Sequence, residues 1–122
     1  MDRFNQFRES FTYAWRGLKY VLKYEKNFQT EVGFTILVVL AMIYFRVTRA
    51  EMVVLFLIIM VILIMELLNT VMERIVDILK PRVHPYAKLI KDIMAAGVLV
   101  SSLFAIVIGL VIFIPYIISR FF

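Results

Sequence analysis

With 63% hydrophobic residues in a chain of 122, and a mean hydropathy of +0.91, there are too few polar side chains to sheath a soluble core, so lipid must be part of the solvent. The absence of cysteine excludes disulfide frameworks, thiolate metal sites and cysteine nucleophiles, and a single histidine, His84, excludes a multi-histidine cage, leaving a hard cation such as magnesium on carboxylates as the metal chemistry that fits. The net charge of +5 suits nucleic acid in principle, but no soluble module remains to bind it, and no nucleic-acid partner is expected.

Residues 1–27 are too charged for a secretory signal, since no apolar run follows the basic start. Phe4, Phe7, Phe11, Ala14, Trp15, Leu18 and Leu22 recur at three- and four-residue spacing, while Arg8, Glu9, Arg16, Lys19 and Lys23 lie largely off that stripe. The pattern predicts an amphipathic helix resting in the headgroup layer, or packed on its own bundle.

The first span is expected over about 28–46. Its uncharged stretch, Val32–Phe45, has only 14 residues, short of the roughly 20 needed to cross, so Phe28 to Glu31 must enter the membrane and Arg46 must snorkel outward. The second span is expected over about 51–76, beginning with the apolar run Met52–Met65 and continuing as helix through Glu66 and Asn69. The third, over about 90–119, holds 27 uncharged residues from Ile93 to Ser119, with Pro115 loosening only the last turn. The expected fold is a single all-α membrane domain, 1–122, of three transmembrane helices and an N-terminal surface helix.

The N-terminal segment and residues 74–91 hold eleven of the fourteen Lys and Arg residues, and in a three-span chain both lie on one side. Basic loops stay inside, so the N-terminus is expected in the cytoplasm and the C-terminus outside. In the third span Gly97, Ser101, Ala105 and Gly109 recur every four residues, a groove for close helix approach within the chain or between chains.

Chemistry concentrates in Glu66-Leu-Leu-Asn69-Thr70-Val-Met-Glu73-Arg-Ile-Val-Asp77. On a helix Glu66, Asn69, Glu73 and Asp77 fall within about 80° of one another. Glu66 directly follows a long apolar run, where a charge costs at least ~2.5 kcal/mol on insertion scales, so it calls for a functional reason. Three helices are too few to shield this face from lipid, which points to an oligomer covering the carboxylates. Two further groups share its depth: Glu25-Lys-Asn27-Phe-Gln29-Thr-Glu31, where the surface helix turns into the first span, and Lys88, Lys91 and Asp92 at the start of the third. Alone these read as interfacial ion pairs. Beside Glu66 they read as parts of a magnesium–phosphate site, in which carboxylates hold metal, lysine neutralises phosphate, and a partly desolvated Glu accepts a proton. The four glycines stand isolated at 17, 33, 97 and 109, so any ATP is held without a P-loop or a kinase glycine loop.

These residues resemble the bacterial diacylglycerol kinase and undecaprenol kinase family of small membrane kinases. The likeness rests on Tyr13-Ala-Trp15-Arg-Gly17, Glu25 through Glu31, the Glu66/Asn69/Glu73/Asp77 core, His84 and Lys91-Asp92, which keep the family's order and spacing from about Tyr13 to Val98. The resemblance implies a homotrimeric bundle in the bacterial inner (cytoplasmic) membrane, with active sites shared between neighbours. It implies transfer of the ATP γ-phosphate to a lipid hydroxyl, with Mg2+ as cofactor. Glu66 is then the general base, and Glu25 and Glu73 are metal and nucleotide ligands. Tyr13, Asn69, Arg82, Val83, His84, Lys91 and Asp92 fall at nucleotide positions. Ala14, Trp15, Arg16, Leu18, Lys19, Glu31 and Ala95 fall at lipid positions. One departure stands out: a basic residue that the family uses near ATP aligns with Gln6, with Arg8 two positions on. His84-Pro85-Tyr-Ala-Lys88 and Ala95-Ala96-Gly97 look more like the undecaprenol branch than the diacylglycerol branch.

Two other readings compete. A small transporter using Glu66 as a proton or cation site explains a buried acid, but not Asn69, Glu73 and Lys91-Asp92 at one edge, and three spans give no inverted repeat. A non-catalytic adaptor whose basic surface binds anionic lipid would tolerate a neutral residue at position 66.

Overall fold

A computed structural model describes residues 2–79 and 84–122, residue 84 by its backbone alone, and resolves them into four helices. These are α1 (Arg3–Tyr24), α2 (Lys26–Phe45), α3 (Arg49–Leu79) and α4 (His84–Phe121). By length and composition α2, α3 and Pro85–Phe121 of α4 can each cross a membrane, so the chain is an all-α membrane protein with three candidate spans.

Local chemistry sets the helix ends. Asp2 caps α1, its Oδ1 accepting the Asn5 N–H at 2.8 Å. A single extended residue, Glu25 (φ −101°, ψ 106°), separates α1 from α2. The Gln29 amide secures this elbow by donating to the Leu22 and Lys23 carbonyls at 2.9 and 3.2 Å, which would otherwise be orphaned at the end of α1. At its other end α2 stops at Arg46, which takes the left-handed conformation (φ 52°). Thr48 and Glu51 then open α3 reciprocally: the Glu51 carboxylate accepts the Thr48 N–H at 2.9 Å and the Thr48 hydroxyl accepts the Glu51 N–H at 3.2 Å. The hydroxyl of Tyr116 on α4 also donates to Glu51, tying the end of α4 to this turn.

Both α3 and α4 extend beyond the expected spans at the charged end, α3 to Leu79 and α4 back to His84. An apolar run marks where hydrocarbon begins and ends, whereas a helix continues as long as its residues favour it. Pro115 sits inside α4, which carries on to Phe121.

Packing is centred on α3, which lies along α4 and against α2, while α1 meets α2. Near the turn end Met42, Val47 and Leu55 form the buried core, with Phe45, Ile59, Ile112 and Phe113 around them. Elsewhere large apolar side chains such as Leu37, Phe104 and Val111 face outward, as expected where lipid is the solvent. The stripe of small residues on α4 divides. A Cβ on Gly97 would stand 2.6 Å from the Met65 Cε on α3, so Gly97 serves packing within the chain. Ala105 and Gly109 instead line an apolar groove of about 460 Å³ between α2, α3 and α4, which has Glu31 at its rim and Phe113 among its walls.

Candidate active site

One face of α3 changes character along its length. Leu55, Ile59 and Ile62 occupy it first, then Glu66, Asn69 and Glu73 follow at the same helical angle. Burial changes along it too: Glu66 is 3% exposed and Asn69 8%, Glu73 is half-buried and Asp77 is exposed. The carboxylates thus run from the packed interior to the surface along one helix.

Glu66 is buried within one chain because α3 does not stand alone: the elbow and the first turns of α2 lean against it, while Glu73 and Asp77 farther along the face stay more open. Asn27, Glu31, Glu73 and Glu25 are all close enough to the Glu66 carboxylate to act on it electrostatically. The Glu73 Oε1 accepts the Asn69 amide at 3.3 Å, which orients both side chains along the face. Thr70 is buried and returns its hydroxyl to the Glu66 carbonyl at 3.1 Å.

Glu25 reaches the same place from the elbow. Its side chain makes no capping bond to α2 and is ion-paired to Arg74 on α3. Arg74 also lies within hydrogen-bonding reach of the Tyr20 hydroxyl on α1. On α4, Lys91 pairs with Asp77 at 2.7 Å and Lys88 with Asp92 at 3.0 Å. Lys91 thereby brings α4 to the edge of the acidic face, whereas Asp92 turns to its own helix.

The remaining expected positions are scattered. Tyr13, Ala14, Trp15, Arg16, Leu18 and Lys19 are exposed along α1, and Tyr13 is about 18 Å up the helix axis from residue 25. The Arg16 guanidinium sits over the Tyr13 ring, 5.7 Å from its centre, and both border a polar surface depression with Arg8 and Thr12. Gln6, on the adjoining turn of α1, is exposed. Ala95 is exposed on α4, one turn beyond Lys91. His84 opens α4, and Arg82 and Val83 lie outside the described residues.

Among the described residues no three His, Asp or Glu side chains converge to chelate a metal unaided. Magnesium seldom needs such a cage, since it binds through one or two carboxylates and completes its shell with phosphate oxygens and water. Glu25 and Glu73 fit that donor chemistry. Sequence reasoning did not single out Arg74, Asn27 or Tyr20. Their roles come from contacts between helices, and the only signal in the chain was that Arg74 adjoins Glu73 and Asn27 lies inside the 25–31 stretch.

Comparison with known proteins bears on what this face is for. The family model of prokaryotic diacylglycerol kinase matches residues 12–113. Undecaprenol kinase of Bacillus subtilis (strain 168) is 34% identical over 114 residues, 93% of this chain and 93% of that protein. Diacylglycerol kinase of Synechocystis sp. is 32% identical over 111 residues, 90% of this chain but 63% of the relative.

Proposed function

This chain belongs to the prokaryotic diacylglycerol kinase family, and on that premise we propose that it is an ATP- and magnesium-dependent kinase of a membrane lipid alcohol, working at the cytoplasmic interface of the bacterial inner membrane. The observation that carries the reading is Glu66, a carboxylate 3% exposed beside a long apolar run, with Glu73 and Glu25 grouped around it.

In the reaction the lipid hydroxyl oxygen attacks the γ-phosphorus of ATP, the bond from that phosphorus to the β–γ bridging oxygen breaks, and ADP leaves. The hydroxyl proton passes to the Glu66 carboxylate, the general base, with Asn27 close to the carboxylate and Thr70 bonded to its backbone carbonyl. Glu25 and Glu73 would hold Mg2+, whose charge would neutralise phosphate. Asn69 orients Glu73, and Lys91 stands at the edge of the face where a phosphate oxygen needs a cation. Asp92 and the 82–84 segment complete the nucleotide side. The lipid enters laterally past Glu31, with Ala14, Trp15, Arg16, Leu18, Lys19 and Ala95 as contacts, while ATP arrives from the basic side of the membrane.

Undecaprenol is the favoured substrate and diacylglycerol the second. The likeness to the Bacillus undecaprenol kinase spans nearly the whole of both chains, whereas the match to the diacylglycerol kinase leaves over a third of that relative uncovered. The assembly is a homotrimer with composite sites. The span of α1 between Tyr13 and Glu25 supports this: a nucleotide that touches both Tyr13 and Glu73 draws Tyr13 most simply from a neighbouring subunit.

The test is turnover of purified protein with Mg-ATP and either lipid. Glu66→Gln is nearly isosteric and should lower the rate by about 10²- to 10⁴-fold while leaving the thermal midpoint close to wild type. A Glu66→Gln enzyme with near-normal rates would remove the general base from position 66, and a wild-type protein without turnover on either lipid would favour the ion-site or adaptor readings. Direct competition between a long polyprenol and diacylglycerol assigns the lipid.

A further inference from the structure

Glu25 and Arg74 form the ion pair that joins the α1–α2 elbow to α3, across 49 residues of sequence. The elbow does not need it. Glu25 makes no side-chain cap, its N–H is satisfied by the Val21 carbonyl at 3.0 Å, and Gln29 closes the end of α1. The Glu25 carboxylate is thus free to take a cation, and in this chain it takes the guanidinium.

The two partners differ in enclosure: the side chain of Arg74 is 49% exposed and that of Glu25 17%. Arg74 can withdraw to water at small cost, but Glu25, only 17% exposed and close enough to act on Glu66, is costly to leave unpaired. Arg74 also lies in the field of Glu73. The nearby lysines of α4 are engaged elsewhere, Lys91 with Asp77 and Lys88 with Asp92. Removing one cation from Glu25 therefore requires another to arrive.

We propose that Arg74 is a resident counter-ion that a divalent cation must displace from Glu25, so that position 74 sets the metal concentration at which the site loads. The pair keeps the Glu25 carboxylate neutralised in the empty enzyme, and exchange for metal frees the guanidinium beside the arriving phosphates. Arg74 is a positioning residue here, and its role rests on the reading of Glu25 as a metal ligand.

Mn2+ binding to the purified full-length protein in detergent, followed by the loss of the free-ion paramagnetic resonance signal, tests the exchange directly. Arg74→Gln should bind Mn2+ about two- to fivefold more tightly than wild type, the factor matching a partly exposed ion pair. Arg74→Lys keeps the charge but loses the guanidinium contact, and should tighten binding by a smaller factor in the same direction. Glu25→Gln should weaken binding, and adding Arg74→Gln to it should change nothing further. Mn2+ should also raise the thermal midpoint of Arg74→Gln more than that of wild type, which a purely structural arginine would not produce. Unchanged or weaker binding in Arg74→Gln, alongside weakened binding in Glu25→Gln, overturns the counter-ion role and leaves the metal site standing. Unchanged binding in Glu25→Gln removes the metal site itself and this role with it. If Arg74→Gln does not fold, Arg74→Lys decides by the same sign.

Discussion

Lys91 and Asp77 separate two meanings that a charged pair can have at a membrane edge. Their side chains are 36% and 52% exposed, and such a pair contributes under about 1 kcal/mol, so neither Lys91→Gln nor Asp77→Asn should shift the thermal midpoint much. Activity should split them. Lys91→Gln removes the cation proposed to face phosphate and is expected to lower turnover at least tenfold, whereas Asp77→Asn keeps that lysine and is expected to leave turnover within a few-fold. Equal losses in both would mean that the pair acts as a brace and that Lys91 does not touch phosphate. The order in which side chains could be recognised follows from the same geometry. Glu66, Asn69 and Glu73 were legible because a helix fixes their common face from spacing alone. Arg74, Asn27 and Tyr20 were not, since their partners lie on other helices and depend on the angle at which α1, α2 and α3 meet, which periodicity does not encode.

At the level of the helices, the small-residue stripe of α4 makes a sharper prediction than its four-residue period did. Gly97 and Gly109 share the motif but not the environment. Ala in place of Gly favours a helix by about 1 kcal/mol, and at Gly109, where nothing lies within 4 Å of the new Cβ, that gain should appear in the chain's own stability. At Gly97 the new methyl meets the tip of Met65, a flexible side chain that can give way, so the gain should be offset and the net change small. Gly97→Leu cannot be absorbed that way and should cost 1–3 kcal/mol or more, about the usual penalty for overpacking. Shortening Met65 to Ala in the Gly97→Leu background should recover part of the loss. Thermal unfolding of the four proteins checks this, and a Gly97→Leu protein as stable as wild type would mean that α3 and α4 do not pack at this register. The spans themselves were evident from hydropathy. The exact helix ends were not: Glu25, Arg46 and Thr48 set them by elbow, left-handed cap and capping box, which need two or three residues in specific conformations and leave little trace in composition.

For the whole molecule, phosphoryl transfer from ATP requires the acidic face to lie on the cytoplasmic side of the membrane. Residues 1–31 and 74–91 hold eleven basic residues, and the turn between α2 and α3 holds Arg46 and Arg49. On the positive-inside rule this imbalance predicts that Glu25, Glu73 and Lys91 lie toward the cytosol, where ATP is found. A cysteine-free sequence makes the orientation directly measurable. Thr48→Cys sits in the short turn and Asn5→Cys near the start of α1, both exposed and both remote from Glu66 along the chain. In intact cells a membrane-impermeant maleimide should label Thr48→Cys and spare Asn5→Cys, and permeabilised cells should show both labelled. The reverse pattern would place the carboxylates and their lysine outside, separated from nucleotide, and phosphoryl transfer from ATP at this face would then be impossible whatever the family likeness. Because α1 joins α2 through one residue and α3 joins α4 through a short basic segment, inverting any one span would drag charged residues through hydrocarbon at several kcal/mol. The topology is therefore all-or-none, and two labelled positions are enough to decide it.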